Sequence, residues 1–389
     1  MSEAAAFERA QVVVLSSIDW GSAWQRHQIF AAQFAAAGRD VFFVENSGFR
    51  DPGLADLGRL GDRLSRLSGR AHEAAGSVPK GVTVVPPAVL PPTRGAFRAV
   101  NDAWLLPRLA GRLSAAGLKP GAIAVVYVPT HTTLALLELL KPALVVYDCA
   151  SHFAAHPQAP ADFAATEARL LARADLVVTD SQYLRDLLAP RRPDVLRVHQ
   201  GVDESFFAAK PPSGSWRSFC YYGTWVPDLD PALPAALADA GFEVTLSGFT
   251  KGPPPTMPPS VRRLPPTAKA ELVGRLEAFD AFLLPHRLTE FHKGVIPAKL
   301  YECLAMGRPI LTTALPSMDE VREHVYVAAT PADWVAAARS LPARETPARR
   351  EARVALARRH THAAEFARLG EALRAAWDAR GRARTGLVQ

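Results

Sequence analysis

Cysteine is scarce in this chain: Cys149, Cys220 and Cys303 are all it has in 389 residues. They are far apart and each lies in or beside an apolar segment. That counts against a disulfide framework and a cysteine-based metal site, and favours buried free thiols in a reducing cytoplasm. No apolar run reaches the roughly 18 residues that a membrane-spanning helix needs. The start, Met1-Ser-Glu-Ala-Ala-Ala-Phe-Glu8, is acidic and short, and is expected to lead straight into a strand rather than to act as a secretory signal. A G-x-G-x-x-G fingerprint is missing as well, which counts against a dinucleotide cofactor. Short-period repeats are absent.

What is present reads as globular: 49% hydrophobic and 21% charged residues. The length exceeds one ordinary core, so two domains are expected. Net charge is +7, and much of the excess follows residue 343, where eleven arginines face five acids. Such a face suits nucleic acid, anionic lipid or plain solvation. No nucleic-acid-binding signature accompanies it, and no nucleic-acid partner is expected.

The chain opens as a βαβ unit: a strand at 11–15, a turn at 16–21, a helix over about 22–37 capped by Gly38, and a strand at 41–45. Further strands are expected at 123–128, 144–149, 176–179 and 195–199, with helices between them. After a polar Pro/Gly/Ser-rich run at 210–215 the pattern restarts, with strands at 219–222, 243–246 and 280–284. Alternation of this kind implies parallel sheets covered on both faces, and two doubly wound domains with a ligand cleft between the carboxyl ends of their sheets. The expected domains are 1–203 and 216–345, followed by basic helices over 346–389 that pack back towards the first domain.

The segment Gly294–Leu311 carries the most chemistry. Pro297 can open a short helix, Gly307 can cap it, and a buried strand follows from Ile310. Lys299 and Glu302, three apart, share a face near the helix start. A lysine there suits a phosphate, and a carboxylate one turn on suits a ribose diol. The implied ligand is a sugar nucleotide, although the same spacing also suits an ordinary amphipathic helix.

Seven fragments in order resemble the GT-B glycosyltransferases of the glycosyl-transferases group 1 kind, known from bacterial polysaccharide and glycolipid pathways. They are Trp24-Gln-Arg-His-Gln28, Val145-Val-Tyr-Asp148, the run Glu167–Ser181, His199-Gln-Gly-Val-Asp203, Tyr222-Gly-Thr224, Phe279–Pro285 and Pro297-Ala-Lys-Leu-Tyr-Glu302. The resemblance spans nearly the whole chain. It implies an α/β GT-B fold, a nucleotide-sugar donor held by the C-terminal domain, and a glycan or lipid-linked acceptor held by the N-terminal one. Glu302 would hold the donor ribose and Lys299 its diphosphate. Gly223 and Thr224 would admit the phosphates to the backbone; a plain strand-ending turn is the alternative. Gly21 and Ser22 would meet the same phosphates or the acceptor, unless Ser22 is simply a helix N-cap.

Two departures matter. Gly294 stands where many relatives carry a second glutamate, and Trp225-Val-Pro-Asp228 stands where many carry Arg and Lys. Positive charge for the leaving diphosphate must then come from Arg287, Lys293 or Lys299, or from Arg26 in the first domain. Acid/base candidates are Asp148, His131 and His152, all at or just beyond strand ends; capping and loop hydrogen bonding are the plainer roles. Retention is the stereochemical course the resemblance favours. No metal and no cofactor beyond the donor is expected, because Asp228-Leu-Asp230 sits where a helix begins and suits an N-cap. A non-catalytic sugar-nucleotide or glycan-binding subunit, or a sugar-nucleotide 2-epimerase, fits the same pattern. Finally, Leu57, Leu60, Leu64 and Leu67 make a helical stripe flanked by Arg59, Arg63, Arg66 and Arg70 over 57–70, which suits an anionic membrane surface on its cytoplasmic side or a core-packed surface helix.

Overall fold

The computed structural model describes residues 3–48 and 78–386. It divides into two units: Met1–Val198 with Phe366–Gln389, and His199–Glu365. In the first, β1 (Val12–Leu15), β2 (Val41–Val44), β3 (Val82–Val85), β4 (Ile123–Val126), β5 (Leu144–Cys149), β6 (Leu176–Thr179) and β7 (Leu196–Arg197) form one sheet in the order β3-β2-β1-β4-β5-β6-β7. Every pairing is parallel, with Val12 opposite Val41 on one side and Ile123 on the other. The central strands are buried along their whole length, so they read as unbroken apolar runs. Val13 and Leu15 enter the core on one face, Val12 and Val14 the core on the other.

The second unit repeats the plan. Its strands are β8 (Ser218–Tyr222), β9 (Glu243–Ser247), β10 (Arg262–Leu264), β11 (Ala281–Leu284), β12 (Ile310–Thr312) and β13 (Tyr326–Val327), ordered β10-β9-β8-β11-β12-β13 and all parallel. Each sheet changes winding direction once, between β1 and β4 and between β8 and β11. In open α/β sheets, ligands gather beyond the carboxyl ends of strands at such points.

The chain divides differently from the sequence expectation. Residues 201–203 and 210–215, whose composition suggests a connection between the domains, lie in the second unit, where Val202 and Phe206 are core residues and Val202 bridges Thr361. The stretch 346–389 is split. The helix Pro347–Arg358 belongs to the second unit, whereas Leu369 and Leu373 of the helix His362–Gly386 are buried in the first. Several of its arginines have intramolecular partners instead of forming one solvated face. Arg353 is fully buried, with Nη1 2.7 Å from Glu345 Oε2. Arg374 pairs with Glu8 and Arg380 with Asp175, and Arg358 lies 4.8 Å from the centroid of the Phe207 ring.

Two helix starts also move. The first long helix is Arg26–Ala36, capped by Gln25 and Gln28, not by Ser22. The helix after Pro297 is Leu300–Ala305, because a turn closed by Leu300 N–H on Pro297 C=O intervenes. Gly307 ends it with φ +68°, as expected of a left-handed cap. The stripe at 57–70 lies outside the described residues. Among those described, no helix is long and apolar enough to cross a membrane.

Candidate functional site

In the second unit the chain leaves β8 through Gly223, whose φ is +110°. That backbone conformation favours glycine, and an added Cβ would lie 2.3 Å from Lys299 Cε and 2.7 Å from its Nζ, so any side chain here would push the lysine aside. Lys299 therefore crosses directly over the Gly223 backbone. Its ammonium lies 5.7 Å and 5.9 Å from the ring centroids of Tyr221 and Tyr222. One turn on, Glu302 Oε2 accepts the Tyr222 hydroxyl at 2.8 Å, and no described residue hydrogen-bonds Oε1. The Tyr221 hydroxyl donates to Thr224 C=O at 2.8 Å and fixes the turn after Gly223.

The electrostatics of this corner are unbalanced. Among the described residues, no carboxylate approaches Lys299 Nζ within ion-pair distance. Desolvation holds its ammonium below the usual lysine range, against the pull of Glu302. Desolvation likewise raises the Glu302 carboxyl, opposed by the Tyr222 hydroxyl and Lys299. His286, just beyond β11, is pushed down to about 3 by burial and by the charge on Lys299. Its Nδ1 is buried with no hydrogen-bond partner. A cation and an unsatisfied ring nitrogen at a switch point suit an anionic, hydrogen-bonding ligand. A cavity of about 90 Å³ lies at the ends of β8, β9 and β10, lined by Gly223, Gly248, Phe249 and Arg263 among others; Lys299, Glu302 and His286 are not part of its lining.

The other basic candidates of this unit, exposed Arg287 and half-buried Lys293, each have an acidic neighbour. Arg287 Nη2 lies 3.8 Å from Asp230, and Lys293 Nζ lies 2.6 Å from Glu290. Asp230 Oδ1 accepts Ala232 N–H at 3.0 Å, although the N-cap residue of that helix is Pro231 rather than either aspartate. Asp228 lies 3.7 Å from His292.

In the first unit, Gly21 is exposed and Ser22 half-buried, its N–H closing a turn on Asp19 C=O. Arg26 and Asp148, expected to act separately, hold each other. Arg26 Nε lies 2.8 and 2.7 Å from the two Asp148 oxygens, and both side chains are buried. Burial alone would lower the guanidinium, but Asp148, with Tyr127 and Asp180, more than offsets it. The pair is buried on both sides, so neither charge stands at the surface. His131 opens its helix and pairs with Asp102 at 2.9 Å. His152 faces the ring of Tyr183, with 6.0 Å between centroids.

Sequence reasoning missed His27, Tyr127, Asp180, Gly248 and His286. His27 had a signal in the Trp24–Gln28 fragment; it stacks on Tyr127 with 3.7 Å between centroids and shares a 2.8 Å hydrogen bond with Ser17. Gly248 had none. Its need for glycine comes from Gly223, whose C=O would lie 2.1 Å from an added Cβ.

No family model matches the chain. It is similar to the putative teichuronic acid biosynthesis glycosyltransferase TuaH of Bacillus subtilis (strain 168), 26% identical over 227 residues, which is 50% of this chain and 57% of that protein. The chain thus matches little more than half the length of that relative. Among solved structures it resembles sucrose-phosphate synthase from Thermosynechococcus elongatus, with TM-score 0.65, 14% identity and coverage of 95% of this chain and 100% of that one. It also resembles Anabaena HepE in complex with UDP-glucose, with TM-score 0.63, 14% identity and coverage of 94% and 100%. At such identities the likeness establishes the fold. The chain has the α/β GT-B fold of two Rossmann-like domains.

Proposed function

We propose that this chain is a nucleotide-sugar-dependent glycosyltransferase, moving a hexose to a hydroxyl of a glycan or lipid-linked acceptor in cell-surface polysaccharide synthesis at the cytoplasmic face of the membrane. The observation that carries this reading is the Lys299 ammonium, without an ion-pair partner among the described residues, lying over Gly223 one turn from Glu302. Lys299 and the Gly223 turn face the donor diphosphate, and Glu302 Oε1 takes a ribose hydroxyl. As the bond from the sugar to the diphosphate breaks, negative charge grows on the leaving oxygens, and a preorganised ammonium stabilises that charge without a metal ion. The similarity to TuaH supports the surface-polysaccharide setting, and the UDP-glucose complex of HepE makes uridine diphosphate sugars the first donors to try. We assign retention at the anomeric carbon, which product NMR tests.

Calorimetry with UDP and UDP-sugars tests the site. Glu302→Ala should cost about 1–3 kcal/mol, the scale of a hydrogen bond to a charged group. Lys299→Ala should weaken UDP more than uridine. Wild-type binding by both variants would remove the site, and turnover lost on chelation and restored by Mg²⁺ would remove metal independence.

A further inference from the structure

The three segments Gly95–Val100, Asn101–Leu105 and Leu106–Ala115 run on as one helix of about 30 Å, at 1.5 Å per residue. Pro107 has no N–H to offer the preceding turn, and the helix widens there: Leu106 N–H reaches back five residues to Asn101 C=O. Rotation about the axis is fixed by Asn101, fully buried, whose amide accepts from Leu90 N–H at 2.9 Å and donates to Leu90 C=O at 2.8 Å. Leu106, Leu109 and Leu113 are thereby turned into the core.

The opposite face should then be polar, and it is not. Ala99, Val100, Ala103, Trp104 and Pro107 are exposed, Val100 at 41% and Trp104 at 64%. Arg94, Arg108 and Arg112, also exposed, flank this stripe at both ends. Asp102, the one acid of the helix, is bound to His131. Arg108 folds over Trp104, its guanidinium carbon 5.9 Å from the ring centroid. An apolar stripe centred on a tryptophan, with a surplus of guanidinium groups at its margins, matches a surface that is apolar below and anionic above.

We infer that this helix face docks on an anionic lipid surface, with Trp104 and Val100 at the acyl boundary and Arg94, Arg108 and Arg112 on lipid phosphates. This rests on the first unit alone and holds whatever the chain's catalytic activity.

The test is flotation of the full chain with vesicles of phosphatidylcholine containing increasing phosphatidylglycerol. Wild type should float in proportion to the anionic fraction. Each arginine near such a surface contributes a factor of about five, so changing Arg94, Arg108 and Arg112 to glutamine should weaken binding about a hundredfold. Trp104→Ser with Val100→Ser should weaken it at every lipid composition, including in high salt. These positions are solvent-exposed, and unchanged thermal unfolding verifies that the variants fold. Failure of wild type to float, as expected if this face meets a protein, overturns the inference. So does equal flotation of wild type and variants, which would assign membrane contact to another part of the chain.

Discussion

Buried between Tyr127 and Ser17, the His27 ring is held neutral: burial, then the adjacent Arg26 charge, lower it from 6.5 to about 3. The unfolded chain takes up a proton near pH 6.5 while the native ring does not until about pH 3. Stability is therefore complete above pH 6.5 and falls as pH drops through that window, by about 1.4 kcal/mol per pH unit for one proton. Asp180 runs the other way. Burial raises its carboxyl to about 7, so the native state holds the extra proton between the ordinary carboxylate range and pH 7, and stability falls as pH rises there. Because the two effects oppose each other over the same window, the test by denaturant titration is a difference. From pH 4 to 6.5 the slope of stability against pH should be lower in His27→Gln than in wild type by about 1.4 kcal/mol per pH unit, and an identical slope would place the protonation elsewhere. Most residue types at this scale were legible, their pairings were not. Arg26 and Asp148 are 122 positions apart, and only the parallel stacking of β1, β4 and β5 brings them within 2.7 Å.

Among elements, the loops after β8 and β9 constrain each other. Gly223 N–H donates to Ser247 C=O at 2.8 Å, and Gly248, at φ +136°, packs backbone on backbone against Gly223. Gly248→Ala forces a methyl into that carbonyl, so the two loops must part and Gly223 must shift under Lys299. UDP affinity should drop at least tenfold by calorimetry while far-UV circular dichroism stays near wild type. Unaltered affinity would separate Gly248 from the site. The buried strands announced themselves as apolar runs. The edge strands β3, β10 and β13 did not, because a short, half-exposed edge carries only a weak pattern. The helix at 95–115 was missed although Leu106, Leu109 and Leu113 recur at helical spacing, because Pro107 inside it reads as a helix breaker.

For the molecule as a whole, repetition was legible and division was not. Two rounds of strand–helix alternation predict two doubly wound units, and both sheets have the same order of winding. The boundaries depend on which contacts the connecting residues make, and those are long-range. Val202 N–H bonds His360 C=O at 2.9 Å, and His362 N–H returns to Val202 C=O at 3.0 Å. Gly201 lies so close to Thr361 that an added Cβ would sit 2.9 Å from its carbonyl. The fragment His199–Asp203, recognisable in the sequence, thus fastens the two ends of the second unit together. Residues 199–365 expressed alone should fold cooperatively and bind UDP; a broad, non-cooperative melt would refute their autonomy.

The return of the chain to the first unit has a consequence for synthesis on the ribosome. Leu369 and Leu373 are buried in a core whose other members precede residue 199, with Phe366 and Trp377 stacked edge-on against Phe34 and Phe7. The amino-terminal half is thus translated first but completed last, after the entire inserted half has emerged. Until then its nascent core shows an apolar groove, a ready target for a chaperone and a poor place for a premature stop. Ending translation at residue 365 should yield a second unit that melts normally beside a first unit that binds hydrophobic dye and aggregates. A soluble, dye-silent product would mean that the first unit closes without its last helix.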